Sequence, residues 1–233
     1  MNKGYKQPKQ TSALARGTAF HTLLLEPDSF EERIKVKAGV QSSKVPGFVG
    51  EGELEGMRAA VAQIHAMPTV SRLFTEGETE VTMVWKDKET GALCRCRHDY
   101  FRQAHGMTVD YKTIAEVSER EIDRAIVRYG YYIQAAFYLD GMKALGLGDH
   151  QDFVFVFQQS SFPYKVYATT ICDQTIERGR EAYKLALRTY ATMMERYGEE
   201  FEWPAYPDRV HCRQMDDISM HAPAINYGFM PVI

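Results

Sequence analysis

The chain has 233 residues, 45% of them hydrophobic and 25% charged, with a formal net charge of -3 at pH 7. Those values exclude a protein coated in basic charge, yet leave room for a local positive cleft. No apolar run approaches the roughly 18–20 residues of a membrane helix, and the opening MNKGYKQPKQ lacks the apolar stretch of a signal peptide, so a cytoplasmic protein with no membrane partner is expected.

From about Thr11 the stretch TSALARGTAFHTLLL sets Leu14, Ala15, Ala19, Leu23 and Leu24 near helical spacing, with Thr11 or Ser12 as cap and Glu26-Pro27 as stop. A polar, glycine-containing section follows, in which MRAAVAQIHAM (57 to 67) is the clearer helical signal. Three strands come next, EVTMVWKD (80 to 87), ALCRCRHDYFR (92 to 102) and MTVDYKT (107 to 113), divided by ETG and QAHG turns. One long helix is predicted from about Ser118 to Ala144, with Ser118 and Glu121 as a capping box. DFVFVFQQS is bare enough of charge to be central in a sheet, and YKVYATTI reads as its hairpin partner beyond Pro163. A last helix, about 174 to 197, puts Ile176, Tyr183, Leu187, Tyr190, Met194 and Tyr197 on one core-facing stripe. This order predicts an α/β fold, helices flanking one mixed central sheet, over residues 1–207, with 208–233 a C-terminal tail or arm. Cys94, Cys96, Cys172 and Cys212 match neither a C-x-x-C pair nor a zinc-finger pattern, so free thiols are expected.

The stretch RHDYFRQAHGMTVDYKT spends Asp99, Asp110 and Lys112 on segments that otherwise read as strands ready for burial. If the turn centres on Ala104-His105, facing residues sum to 209, a sum that Asp99 and Asp110 satisfy. Two carboxylates set across an antiparallel pair repel, so one must take a proton or both must share a cation. Mg²⁺ suits such hard oxygen ligands, and Mn²⁺ is accepted on the same grounds. Lys112, two residues beyond Asp110, points to the same side of its strand. The chemistry this suggests is metal-assisted attack of water on a phosphodiester, with the metal activating the water and the phosphoryl oxygen and Lys112 steadying the developing negative charge. An Asp-x-Lys on a strand reads equally as a solvated face or a simple cross-strand ion pair.

Taken together, GTAFHTLLLEP, RCRHDYF, VDYKT and YGYYIQAAFYLDGM resemble the PDDEXK-type nucleases of the RecB-like branch, most closely the RecE (exonuclease VIII) group. Gly17 and His21 fit its G-x-x-x-H helix, Asp99 its G-R-x-D-like strand, Asp110 and Lys112 its D-x-K, and Gln134 and Tyr138 its Q-x-x-x-Y helix. The chain departs from it in reading CRHD, although Arg97 remains. The resemblance implies that Asp99 and Asp110 bind the divalent ion, that the Tyr111 carbonyl adds a ligand, that His21 contributes to a second metal position and that Lys112 is the catalytic lysine. It places Glu80 where related nucleases carry another acidic residue. Gln134 and Tyr138, with Tyr131, share one helix face and read as holding either DNA or the active-site lysine. Arg97 is a further DNA-contact candidate. Arg120, Arg124 and Arg128 form a stripe that either contacts phosphates or is solvated and paired with Glu121 and Asp123.

The expectation is therefore a PDDEXK restriction-endonuclease-like core acting as a Mg²⁺-dependent DNA exonuclease. By resemblance it digests duplex DNA ends 5′ to 3′, leaving 3′ single strands for a RecT-like annealing protein, and forms a homo-oligomer. The rivals are a DNA-binding or assembly protein on the same fold with weak or no cleavage, and a structure-selective endonuclease.

Overall fold

A five-stranded sheet organises the computed structural model, which describes residues 12–42, 48–147 and 152–198. Helix α1 (Ser12–Leu25) is followed by the short α2 (Phe30–Arg33) and by two three-residue strands, β1 (Lys35–Lys37) and β2 (Phe48–Gly50), paired in parallel. Helices α3 (Glu51–Ala66) and α4 (Pro68–Ser71) lead into β3 (Glu78–Lys86), β4 (Leu93–Arg102) and β5 (Met107–Ile114). Helices α5 (Glu119–Arg128) and α6 (Tyr131–Ala144) cross over to β6 (Asp152–Gln159), and β7 (Val166–Thr170) and α7 (Asp173–Tyr197) complete the described chain. The strands lie in the order β3-β4-β5-β6-β7, with β5 and β6 parallel and every other neighbour antiparallel. The expected tail, 208–233, and Cys212 lie outside the described residues. Among the described residues no helix is long and apolar enough to cross a membrane.

The crossover between β5 and β6 forces helices onto a face of the sheet, because a parallel connection cannot be closed by a tight turn. One face packs on α1 and α3, where Phe20, Met57 and Ile64 meet Tyr100, Val109, Tyr111, Val154 and Val156. The other packs on α5, α6 and α7, where Ala135, Ala136 and Ile176 meet Phe153, Phe155 and Phe157. With helices on both sides, β6 is buried at every position from Phe153 to Gln158, which explains its lack of charge. Farther along this second face, Met142 and Leu187 cover Met83, Trp85, Cys94 and Cys96 on the β3–β4 hairpin.

The helix expected over 118 to 144 is two helices. Gly130 adopts φ +67°, a left-handed conformation that ends α5 and caps α6. Ser118 does sit at the N-cap of α5, but its side chain makes no capping hydrogen bond, and Glu121 is engaged by Arg124 at 2.5 Å instead. In α7 only part of the predicted stripe is deeply buried, Ile176 and Leu187, while Tyr183, Tyr190, Met194 and Tyr197 are half-buried. α6 and α7 approach closely at Gly179, where a Cβ would stand 2.2 Å from the Tyr132 carbonyl oxygen.

Candidate active site

The ladder between β4 and β5 follows the expected sum of 209, pairing Arg102 with Met107, Phe101 with Thr108 and Tyr100 with Val109. It stops one pair short of Asp99 and Asp110. The β3–β4 ladder also omits the pair containing Asp99, passing from Thr79↔Tyr100 to Val81↔His98. Its would-be partner, Glu80, holds φ at +56°, a left-handed backbone that a glutamate adopts only under constraint. Asp99 therefore sits where both ladders open, and its carboxylate fills the gap by accepting the Tyr111 N–H at Oδ2, 2.9 Å.

This opening gathers groups from both helical layers. On the α1 side, His21 Nδ1 lies 3.7 Å from Asp99 Oδ2, and its ring packs on Tyr111 with 5.1 Å between centroids. His21, Glu80 and Asp99 each offer a ligand atom, all within 4.8 Å of one another. Tyr111, fully buried, donates its phenol proton to Gln158 Oε1, and Gln158 Nε2 donates to the Ala60 carbonyl at 2.6 Å, so the strand is fixed to α3 beneath the site. On the α6 side, Asp110 Oδ1 accepts Gln134 Nε2 at 2.5 Å, and Lys112 Nζ lies 2.6 Å from Asp110 Oδ2. The Lys112 ammonium also stands 5.0 Å from the Tyr131 ring centre, a cation–π contact. Tyr138, one turn beyond Gln134, donates its hydroxyl to the Arg97 carbonyl at 3.1 Å. Arg97 turns outward and pairs Nε with Glu80 Oε2 at 2.8 Å.

The charges explain the protonation states. Burial, and then the negative charge of Asp110, push Asp99 up to about 8, against the opposing pull of Lys112 and the Tyr111 N–H. Burial, and then Lys112, bring His21 down to about 4, so its imidazole is neutral and free to ligate. Burial works against the Lys112 charge, but Asp110 and Asp99 outweigh it and hold the ammonium above its ordinary range. Behind the site His98 is fully buried, sharing hydrogen bonds with Thr108 Oγ1 at 2.7 Å and Cys96 Sγ at 3.2 Å. Burial brings it down to about 4 as well.

These residues fit a divalent cation. Burial and the charge of Asp110 favour the protonated form of Asp99, His21 presents a neutral nitrogen, and the Oδ2 of Asp110 is buried without a hydrogen bond, met only by the Lys112 charge. Glu80, Asp99 and His21 bring two carboxylates and an imidazole within reach of one ion, a donor set suited to a divalent cation.

Of the residues singled out in the sequence, His21, Glu80, Arg97, Asp99, Asp110, Tyr111, Lys112, Gln134 and Tyr138 converge on this opening. Arg124 and Arg128 stand apart, since Glu121 holds Arg124 and Arg128 lies over the Tyr129 ring, 5.7 Å from its centre. What sequence reasoning missed is the support: the Arg97–Glu80 pair, the phenol of Tyr111 on Gln158 and the buried His98. All join residues from separate strands or helices, and no local spacing announces them.

Residues 1–214 match the family model described as "PDDEXK-like domain of unknown function (DUF3799)". No curated protein matches the chain. A crystal structure from Eubacterium rectale described as a "Putative exonuclease" superposes with a TM-score of 0.63 at 15% identity, covering 92% of this chain and 81% of that one. At that identity the likeness is one of fold. A second solved structure, SSO0001, is 17% identical over 57% of this chain and 68% of its own, with a TM-score of 0.30 that carries no structural argument.

Proposed function

The chain belongs to the family of PDDEXK-like domains of unknown function, and from that premise we propose that it is a metal-dependent deoxyribonuclease that degrades duplex DNA from its ends. The observation that carries this reading is the placement of the Lys112 ammonium, 2.6 Å from Asp110, beside the His21, Glu80 and Asp99 cluster. A lone ion pair does not need an imidazole and two further carboxylates gathered next to it. A site built to receive a cation and a phosphate does.

Asp99, Asp110, His21 and Glu80, with the Tyr111 carbonyl, would hold the ion, which supplies Lewis acidity at the scissile phosphate and an activated water. Asp99, whose carboxyl is raised by burial and Asp110, would have to release a proton to hold such an ion, which would couple binding to pH. Gln134 holds the Asp110 carboxylate in one orientation through Oδ1, leaving Oδ2 directed at Lys112. Lys112 stays charged throughout and stabilises the negative charge that grows on the phosphoryl oxygens as water attacks and the P–O bond breaks. Tyr131, stacked against that ammonium, limits where it can move. In this reading Mg²⁺ is the working ion, digestion runs 5′ to 3′, and the remaining 3′ strand is passed to an annealing protein of the RecT kind.

Linear and closed circular duplex DNA, each incubated with Mg²⁺, Mn²⁺ or EDTA, test the reading. Loss of the linear form alone, dependent on metal, is expected, with a label at either end reporting direction. Nicking or linearisation of the circle would replace it with an endonuclease, and intact DNA with metal present would leave a binding protein.

A further inference from the structure

The β3–β4 hairpin extends beyond the α1 and α3 layer, and its two faces differ. Alternation sends Met83, Trp85, Cys94, Cys96 and His98 inward, where all are buried. It sends Thr82, Val84 and Lys86 of β3, and Leu93, Arg95 and Arg97 of β4, to the opposite face, where all six are exposed, Val84 to 46% and Leu93 to 76%. The register sets Arg97 opposite Thr82, Arg95 opposite Val84 and Leu93 opposite Lys86. None of the six is acidic. Among the described residues neither Arg95 nor Lys86 has an ion-pair partner, and Arg97 has only Glu80, at the end of the face where the site begins.

Alternate residues of a strand lie about 6.6 Å apart, so Arg97 and Arg95 form a row of cations leading straight out from Asp99 at a spacing comparable to that of successive phosphates on one strand. Lys86 prolongs the row on the neighbouring strand. In a chain of net charge -3 this run of three cations, of which Arg95 and Lys86 have no ion-pair partner among the described residues, stands out, and its complement is a polyanion. Val84 and Leu93 between the cations supply the apolar surface on which sugars and bases can rest. We infer that the open face of the β3–β4 hairpin is the track for the DNA strand that enters the site, with Arg97, Arg95 and Lys86 on consecutive stretches of its phosphate backbone. The inference rests on the nuclease reading above and adds to it the path of the substrate.

The test is fluorescence anisotropy of a labelled duplex with a single-stranded overhang, in EDTA so that no cleavage occurs, over a series of salt concentrations. Arg95→Ala and Lys86→Ala should each weaken binding and flatten the slope of log K against log salt by about 0.7–0.9, whereas Arg95→Lys, which keeps the charge, should retain the slope. Both positions are exposed, and the Lys variant shows that the strand tolerates replacement. Wild-type slopes in both Ala variants, with DNA bound normally, would overturn the track and leave the nuclease reading standing. A wild type that neither binds nor cuts DNA would remove the nuclease reading itself. If Arg95→Glu instead splits an oligomer into smaller species on sedimentation and wild-type DNA affinity persists, the face belongs to a second copy of the chain and the inference fails.

Discussion

Replacing Asp99 by Asn should stabilise the metal-free protein, and by more as the pH rises. The carboxyl moves from an ordinary 3.8 to about 8 in the fold, through burial first and Asp110 second. Over that window the folded chain holds a proton that the unfolded chain has released, so stability is lost as pH rises through it. Each unit inside the window costs about 1.4 kcal/mol, and from about pH 6 to pH 8, where the curve flattens toward the folded value, the loss is about 2 kcal/mol. His21 and His98 act oppositely. Both are brought to about 4 from 6.5, so their contribution is lost as pH falls from 6.5 toward 4. Because wild type and Asp99→Asn share both histidines, the difference between them isolates Asp99. At roughly 2–4 °C per kcal/mol for a chain of this length, the Tm advantage of Asp99→Asn should widen by roughly 4–8 °C across that interval. Thermal melts in EDTA at several pH values measure it. An advantage that stays constant with pH would show that Asp99 does not titrate there, and the account of its environment would be refuted.

Saturating Mn²⁺ should raise the wild-type Tm, since an ion at a hundredfold excess over its Kd adds about 2.7 kcal/mol, and Asp110→Ala should lose most of that rise. The rise should also shrink below neutral pH, where the Asp99 proton competes with the ion. Gly179→Ala drives a Cβ to within 2.2 Å of the Tyr132 carbonyl oxygen, and because the obstacle is backbone the α6–α7 contact must open. A urea melt should show a loss of about 1–3 kcal/mol or more; an unchanged midpoint would mean that the two helices are less closely packed than described.

The fold was legible wherever local pattern and global burial agree. α1, the three strands from 78 to 114 and β6, uncharged beyond Asp152, with its hairpin partner all fall where hydrophobic spacing and turn residues place them. The helix over 118 to 144 shows the limit. Its apolar spacing runs on without a break, and only the backbone freedom of Gly130 lets the chain reset its direction. The Asp99 and Asp110 register was readable from a symmetric turn, but the opening of both ladders around Asp99 was not, because it depends on the left-handed Glu80 one strand away. Likewise the family resemblance singles out Glu80 as a further acidic residue, but its approach to His21 and Asp99 depends on the fold.

In the proposed reaction the Lys112 ammonium, beside the His21, Glu80 and Asp99 cluster, stabilises the charge that grows on the phosphate as a metal-activated water attacks it. Single-turnover digestion of end-labelled linear duplex, comparing wild type with Lys112→Ala in Mn²⁺ and in EDTA, tests it most directly. The account predicts metal-dependent cleavage by wild type, a rate lower by about 10²–10³ in Lys112→Ala, and a Mn²⁺-induced Tm rise retained by both proteins. Equal cleavage rates in the two proteins, or cleavage that persists in EDTA, would contradict it.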